Sequence, residues 1–144
     1  YWSYQARRLI RATLDTNILV SALLYTGNER KILEAAIEGK FKSITSPAIL
    51  NELGRVLTRL EVGEHEVEGY LIRIMEISEV RIPTRLDDIK IRDREDIKIL
   101  ECARSRASDY IVTGDEDLLS LKEYDGIKII RSRDLPGLLD PKKT

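Results

Sequence analysis

Apolar positions along this chain switch repeatedly between two periods. Short runs of strand character at Leu9 to Leu14, Lys42 to Thr45, Glu79 to Ile82, Asp109 to Thr113 and Ile127 to Arg131 predict five strands. Longer stretches between them carry helical spacing. Thr16 to Tyr25 is apolar almost all round, which predicts a buried helix stopped near Gly27. Glu29 to Glu38 follows, with Asn28 as its cap and Gly39 as its stop. Ser46-Pro47 pairs an N-cap residue with proline at the first helical position and opens a helix to about Leu60. Glu64 to Ile77, Arg94 to Arg106 and Asp115 to Lys122 complete the helices. Strands separated by helices need crossover connections, so the pattern predicts an α/β fold: three layers, α/β/α, around a central mainly parallel sheet. In such sheets ligands bind beyond the carboxyl ends of the strands.

That rule singles out acids. Asp15 directly follows the first strand, and Asp115 follows Tyr110-Ile111-Val112-Thr113 after the turn residue Gly114. Asp96 shares a helical stripe with Leu100, Ala103 and Ala107, and a carboxylate on a buried face needs a partner, a hydrogen bond or a metal. Glu52 sits at the edge of the stripe formed by Ile49, Leu53, Val56 and Leu60. Each acid has a plainer reading. An Asp after a strand often caps the next helix, an acid in a first turn favours the helix dipole, and a helical Glu is usually solvated. Four acids able to converge on one end of one sheet weaken those separate explanations.

Composition narrows the chemistry. The chain has 144 residues with 24 Lys+Arg against 25 Asp+Glu, a net charge of −1, and 42% hydrophobic residues. That length suits one domain, expected over residues 9–144, with residues 1–8 read as a loose terminus or a cloning remnant. Near-neutral charge argues against coating nucleic acid by bulk electrostatics while leaving room for local basic patches. With one cysteine (Cys102) and one histidine (His65), neither a disulfide framework nor a Cys- or His-rich metal site is available. Cys102 reads as structural and His65 as solvated. No apolar run approaches the roughly 18 residues of a membrane span, and Asp15 interrupts any signal-peptide core, so a soluble, cytoplasmic protein is expected.

Four stretches, in order, carry a family resemblance. Leu14-Asp15-Thr16-Asn17-Ile18-Leu19-Val20-Ser21-Ala22 resembles the opening motif of the PIN-domain family of metal-dependent ribonucleases. Ser46-Pro47 with Glu52-Leu53 resembles the second motif, Asp93-Arg94-Glu95-Asp96 with Leu100 and Ala103 the third, and Tyr110 through Leu119 the fourth. Each motif alone is weak; the ordered set spans nearly the whole chain. The subgroup it most resembles is the short prokaryotic PIN proteins that serve as toxins of VapBC-type toxin–antitoxin pairs.

The resemblance implies an endoribonuclease in which Asp15, Glu52, Asp96 and Asp115 form the metal and catalytic site, with Asp117 a fifth candidate ligand. It also implies a homodimer and a small antitoxin partner covering the site. Thr16, Asn17, Ser21 and Thr113 are expected to orient the acids by hydrogen bonds. Clustered carboxylates without His or Cys select hard cations, so Mg²⁺ or Mn²⁺ is expected. RNA approaching an acidic pocket needs flanking cations, and Arg7, Arg8, Arg11, Lys42 and Arg55 are candidates, with Lys40 and Arg59 also near. Two other classes compete. A signalling receiver domain needs adjacent acids after its first strand, and a haloacid-dehalogenase phosphatase needs an Asp where Asn17 stands. A PIN-like binding module without catalysis should have lost some of the acids, yet all four positions are acidic. A housekeeping RNA-processing nuclease fits the motifs as well as a toxin does.

Overall fold

In the computed structural model, residues 9–83, 94–104 and 107–139 are described. Arg7 and Arg8, Asp93 and the ends of the predicted Arg94–Arg106 helix at 105 and 106 lie outside them. Six strands form one sheet: β1 (Arg11–Leu14), β2 (Lys42–Thr45), β3 (Ser78–Val80), β4 (Tyr110–Val112), β5 (Glu123–Tyr124) and β6 (Ile127–Ile130). The helices are α1 (Thr16–Leu24), α2 (Asn28–Ile37), α3 (Pro47–Arg59), α4 (Glu64–Ile77), α5 (Arg94–Ala103), α6 (Glu116–Leu121) and α7 (Leu135–Leu139), with a 3₁₀ turn at Ser132–Asp134.

The strand order is β3-β2-β1-β4-β6-β5, parallel throughout except for β5 against β6. From β1 the chain works outward through β2 to β3, then returns to the other side of β1 to lay down β4 and β6. The direction of winding therefore reverses between β1 and β4, where a crevice opens at the carboxyl ends of the strands. Ala12, Thr13 and Leu14 are all buried, as expected of a central parallel strand covered on both faces. Helix α1 packs against both α2 and α3, α3 against α4, α4 against β2 and β3, α5 against β1, β2 and β4, and α6 against β6. Together they give the three-layer α/β/α arrangement.

Local chemistry explains the boundaries. Ser46 caps α3, its Oγ accepting from the Ile49 N–H at 3.3 Å, with Pro47 at the first helical position. The cap of α2 is Gly27 at φ +137°, a backbone state that glycine tolerates, so the expected cap Asn28 is the first helical residue. Strand β3 begins one residue earlier than its predicted start and ends two earlier than its predicted end, because Ser78 is tied into the sheet by donating to Ser43 Oγ at 3.0 Å. Ile82, predicted inside that strand, is 87% exposed. Strand β5 is absent from the sequence reading. Its signal was present in Asp125-Gly126, both at positive φ, which make the two-residue turn of a hairpin between β5 and β6.

Candidate metal centre

Leu14 closes β1 beside Val112 of β4, and the Asp15 N–H donates to the Val112 carbonyl at 2.9 Å. This places Asp15 at the start of α1, where its carboxylate lies near the Thr16 and Asn17 amides without making a regular capping bond. Instead Asp15 Oδ2 accepts from the Thr113 hydroxyl at 2.6 Å, while Thr113 Oγ1 accepts the Asp115 N–H at 3.0 Å. Thr113 is fully buried and has one hydroxyl proton, so it locks two acids of different strands into a fixed relation. Asp115 does cap α6: its Oδ1 accepts from the Asp117 N–H at 2.8 Å and the Leu118 N–H at 3.3 Å. Capping and site formation are thus compatible in Asp115 and separate in Asp15.

Burial raises the pKa of Asp15 above the ordinary carboxylate value, and the neighbouring Asp115 charge adds to the rise. The Thr113 hydroxyl and the amides of Thr16 and Asn17 pull the other way. Asp96, on α5, is 3% exposed. One carboxylate oxygen from each of Asp96, Asp115 and Asp117 lies within 4.8 Å of the others, close enough to share one ion. Asp15, Glu52, Asp96 and Asp115 all line one cavity of about 290 Å³, together with Thr16 and Asn17 of α1 and Arg59 of α3.

This donor set fits a hard divalent cation. It is all oxygen, it is anionic, and it mixes buried with exposed carboxylates, leaving room for the waters that Mg²⁺ retains. The sulfur and imidazole groups are elsewhere: His65 is exposed at the start of α4, and Cys102 is buried with Thr13 donating to its Sγ at 3.9 Å. Burial pushes the Cys102 thiol up to about 11, so it stays protonated at neutral pH.

Glu52 has a different setting. On α3 and 9% exposed, it faces Arg55 at 2.6 Å, Lys98 at 3.7 Å and Arg59 at 3.8 Å. Lys98 was missed from sequence, where a lysine two residues after Asp96 carries no periodic mark. Ser21, expected beside the acids, is half-buried one turn further along α1 and is not part of the cavity lining.

The expected basic flank divides. Arg55 and Arg59 stand beside the acids. Arg11 and Lys42 do not: they open β1 and β2, in register with each other, at the end of the sheet opposite the crevice. Arg11 is also engaged there, donating to the Ala107 carbonyl and to Glu79 at 2.7 Å each. That hydrogen bond lowers the Glu79 pKa.

The model of a family described as the PIN domain matches residues 11–117, which contain every acid of the crevice. A protein of Methanocaldococcus jannaschii, named as uncharacterized protein MJ1680, is 32% identical over 120 residues, covering 79% of this chain and 76% of its own. With the strands, the crevice and most of the chain accounted for by one family model, this chain belongs to the PIN-domain family.

Proposed function

We propose that the protein is a divalent-metal-dependent endoribonuclease acting on RNA phosphodiester bonds. PIN domains are generally nucleases, and the observation that carries the reading here is the convergence of Asp96, Asp115 and Asp117 within 4.8 Å at the mouth of the β1/β4 crevice. These three residues would hold Mg²⁺ or Mn²⁺, with Asp15 alongside. A bound divalent cation supplies water acidified towards neutral pH and offsets negative charge developing on the phosphate. The chain's own contribution is positional. Thr113 fixes Asp15 relative to Asp115, the Asp117 and Leu118 amides fix Asp115, and burial of Asp96 holds its carboxylate against the cavity.

Incubation with single-stranded or loop-containing RNA tests this. Cleavage in Mg²⁺ or Mn²⁺ is expected, with none in excess chelator; undiminished cleavage under chelation refutes the metal-dependent reading.

We further propose the biological role of a toxin of the VapBC type, acting as a homodimer in the cytoplasm and restrained by a small antitoxin. Support comes from the ordered motifs. Among the described residues no helix is long and apolar enough to cross a membrane. Induction of the wild type should arrest growth, and Asp15→Ala should not. Normal growth under induction, with RNA cleavage retained in vitro, favours a housekeeping nuclease instead.

A further inference from the structure

The two edges of the sheet are built differently. Strand β5 is only two residues long and lies between Lys122 and Asp125, both at positive φ; so short an edge offers little to pair with. The other edge is β3, and among the described residues nothing pairs with its outer side. The Arg81 N–H continues its ladder inward, donating to the Thr45 carbonyl of β2 at 3.0 Å. Backbone groups alternate sides along a strand, so Glu79 also bonds inward, while the N–H and C=O of Val80 point out of the sheet. The side chains alternate as well. Glu79 shares a register line with Ile44 and Thr13, and Thr13 meets Cys102 of α5, so Glu79 and Arg81 belong to the α5 face. Val80 and Ile82 belong to the opposite face. Right-handed crossovers put α4 there too, because the chain moves outward from β1 to β3 and back again to β4. Val80 is 41% exposed and Ile82 87%, and α4, packed over β2 and β3, adds exposed Ile72 and Met75.

We infer that the outer edge of β3 pairs antiparallel with β3 of a second copy of this chain, about a two-fold axis through Val80, joining the two sheets into one. Charge fixes the register. An axis at Val80 sets Glu79 of each copy opposite Arg81 of the other, whereas an axis at Glu79 or at Arg81 would set like charges face to face, which is destabilising. Val80 then exchanges both main-chain bonds with its own counterpart. The Glu79–Arg81 positions on either side are of the non-hydrogen-bonded kind, where side chains come closest. Arg81 has capacity to spare, since its Nε has no hydrogen-bond partner among the described residues, and Arg11 engages Glu79 through Oε2 alone. A two-fold contact must be self-complementary, and an alternation of Glu, Val and Arg on an open edge meets that condition. The inference rests on the homodimer reading, to which it gives a surface, and is independent of the nuclease reading. Paired strands run in opposite directions, so the two crevices would open at opposite rims of the joined sheet.

Two measurements on the whole chain test this. Sedimentation velocity over a concentration series compares wild type with Val80→Lys and Ile82→Lys, with circular dichroism as the check on folding. Ile82 is so exposed that its replacement leaves the fold intact. Val80→Lys sets two ammonium groups opposite each other at the axis and should raise the dimer Kd by about tenfold or more; Ile82→Lys should weaken it in the same direction. Cross-linking then reads the register. A hydrogen-bonded antiparallel pair holds its Cα atoms about 5.5 Å apart, within disulfide reach, so mild oxidation should convert Val80→Cys into a covalent dimer. The native Cys102 is buried and takes no part. Leu138→Cys, at an exposed position on α7, should stay uncrosslinked. A wild-type dimer indifferent to both lysine variants, or cross-linking no better in Val80→Cys than in Leu138→Cys, overturns the β3 edge and leaves the homodimer to another face. A wild type that is monomeric at every concentration overturns the edge and the homodimer together.

Discussion

Replacing Thr113 with valine removes one hydroxyl from the centre of the crevice and little volume. That hydroxyl donates to the buried Asp15 carboxylate at 2.6 Å and accepts the Asp115 N–H at 3.0 Å. A hydrogen bond to a charged group contributes about 1.5–3 kcal/mol, and an amide left without its acceptor costs about 1 kcal/mol more. Thr113→Val should therefore lower stability by about 3 kcal/mol at pH 7. The pH dependence follows from Asp15. Its folded pKa is raised above the ordinary 3.8, so the native state binds the proton more tightly than the unfolded chain. Stability is lost as pH rises from that ordinary value through the folded pKa, and the penalty is complete above it. Removing the Thr113 hydroxyl, which favours the anion, enlarges the penalty. Near pH 3.5 the carboxyl is largely neutral in both states, and the loss should shrink to about 1–2 kcal/mol, the value of neutral hydrogen bonds. Urea denaturation at the two pH values measures both. A loss under about 0.5 kcal/mol at pH 7, well below what a charged hydrogen bond contributes, or an equal loss at both pH values, would refute this account of Asp15.

Other expectations are more compact. Asp96→Asn removes one of several mutually repelling charges, so the metal-free protein should melt no lower than wild type, while Mn²⁺ should raise its melting temperature far less; for wild type the gain is about 2.7 kcal/mol at 100 times the dissociation constant. A strongly destabilised variant, or an undiminished Mn²⁺ effect, would make Asp96 structural. Ser46→Ala deletes the cap of α3 and should cost about 1 kcal/mol by chemical denaturation without changing Mn²⁺ affinity. Cys102, buried and with a thiol pushed up to about 11, should resist iodoacetamide at pH 8 in the native protein and react only on unfolding, as read by mass spectrometry.

The sequence made the strand–helix alternation legible because the parallel strands are short and the helices between them long and periodic. Ser46-Pro47 announced α3 through local cap chemistry, and Asp96 announced itself as an acid inside an apolar stripe. Local rules could not separate Asp15 from Asp115, because both follow strands; only the pairing of β1 with β4 brings Thr113 to one and leaves the other to cap α6. The same limit misplaced Arg11 and Lys42. Both belong to strands that lead to the crevice, but a strand carries its two ends apart, and these residues lie at the far one. Lys98 comes near Glu52 only because α5 meets α3, which no single stretch of sequence encodes.

The bond from Thr113 to Asp15 spans 98 positions of the chain. During synthesis Asp15 and Glu52 emerge early, and β1, β2 and β3 can associate while the rest is still being added. Asp96, Asp115 and Asp117 arrive last, and β4 must then insert beside a strand made seconds before, at a synthesis rate of about 5–20 residues per second. No fragment ending before Asp115 carries the crevice. A growing polypeptide of this sequence therefore lacks the crevice until Thr113 and Asp115 have emerged, and the nuclease activity proposed for it would wait on the docking of β4 beside β1.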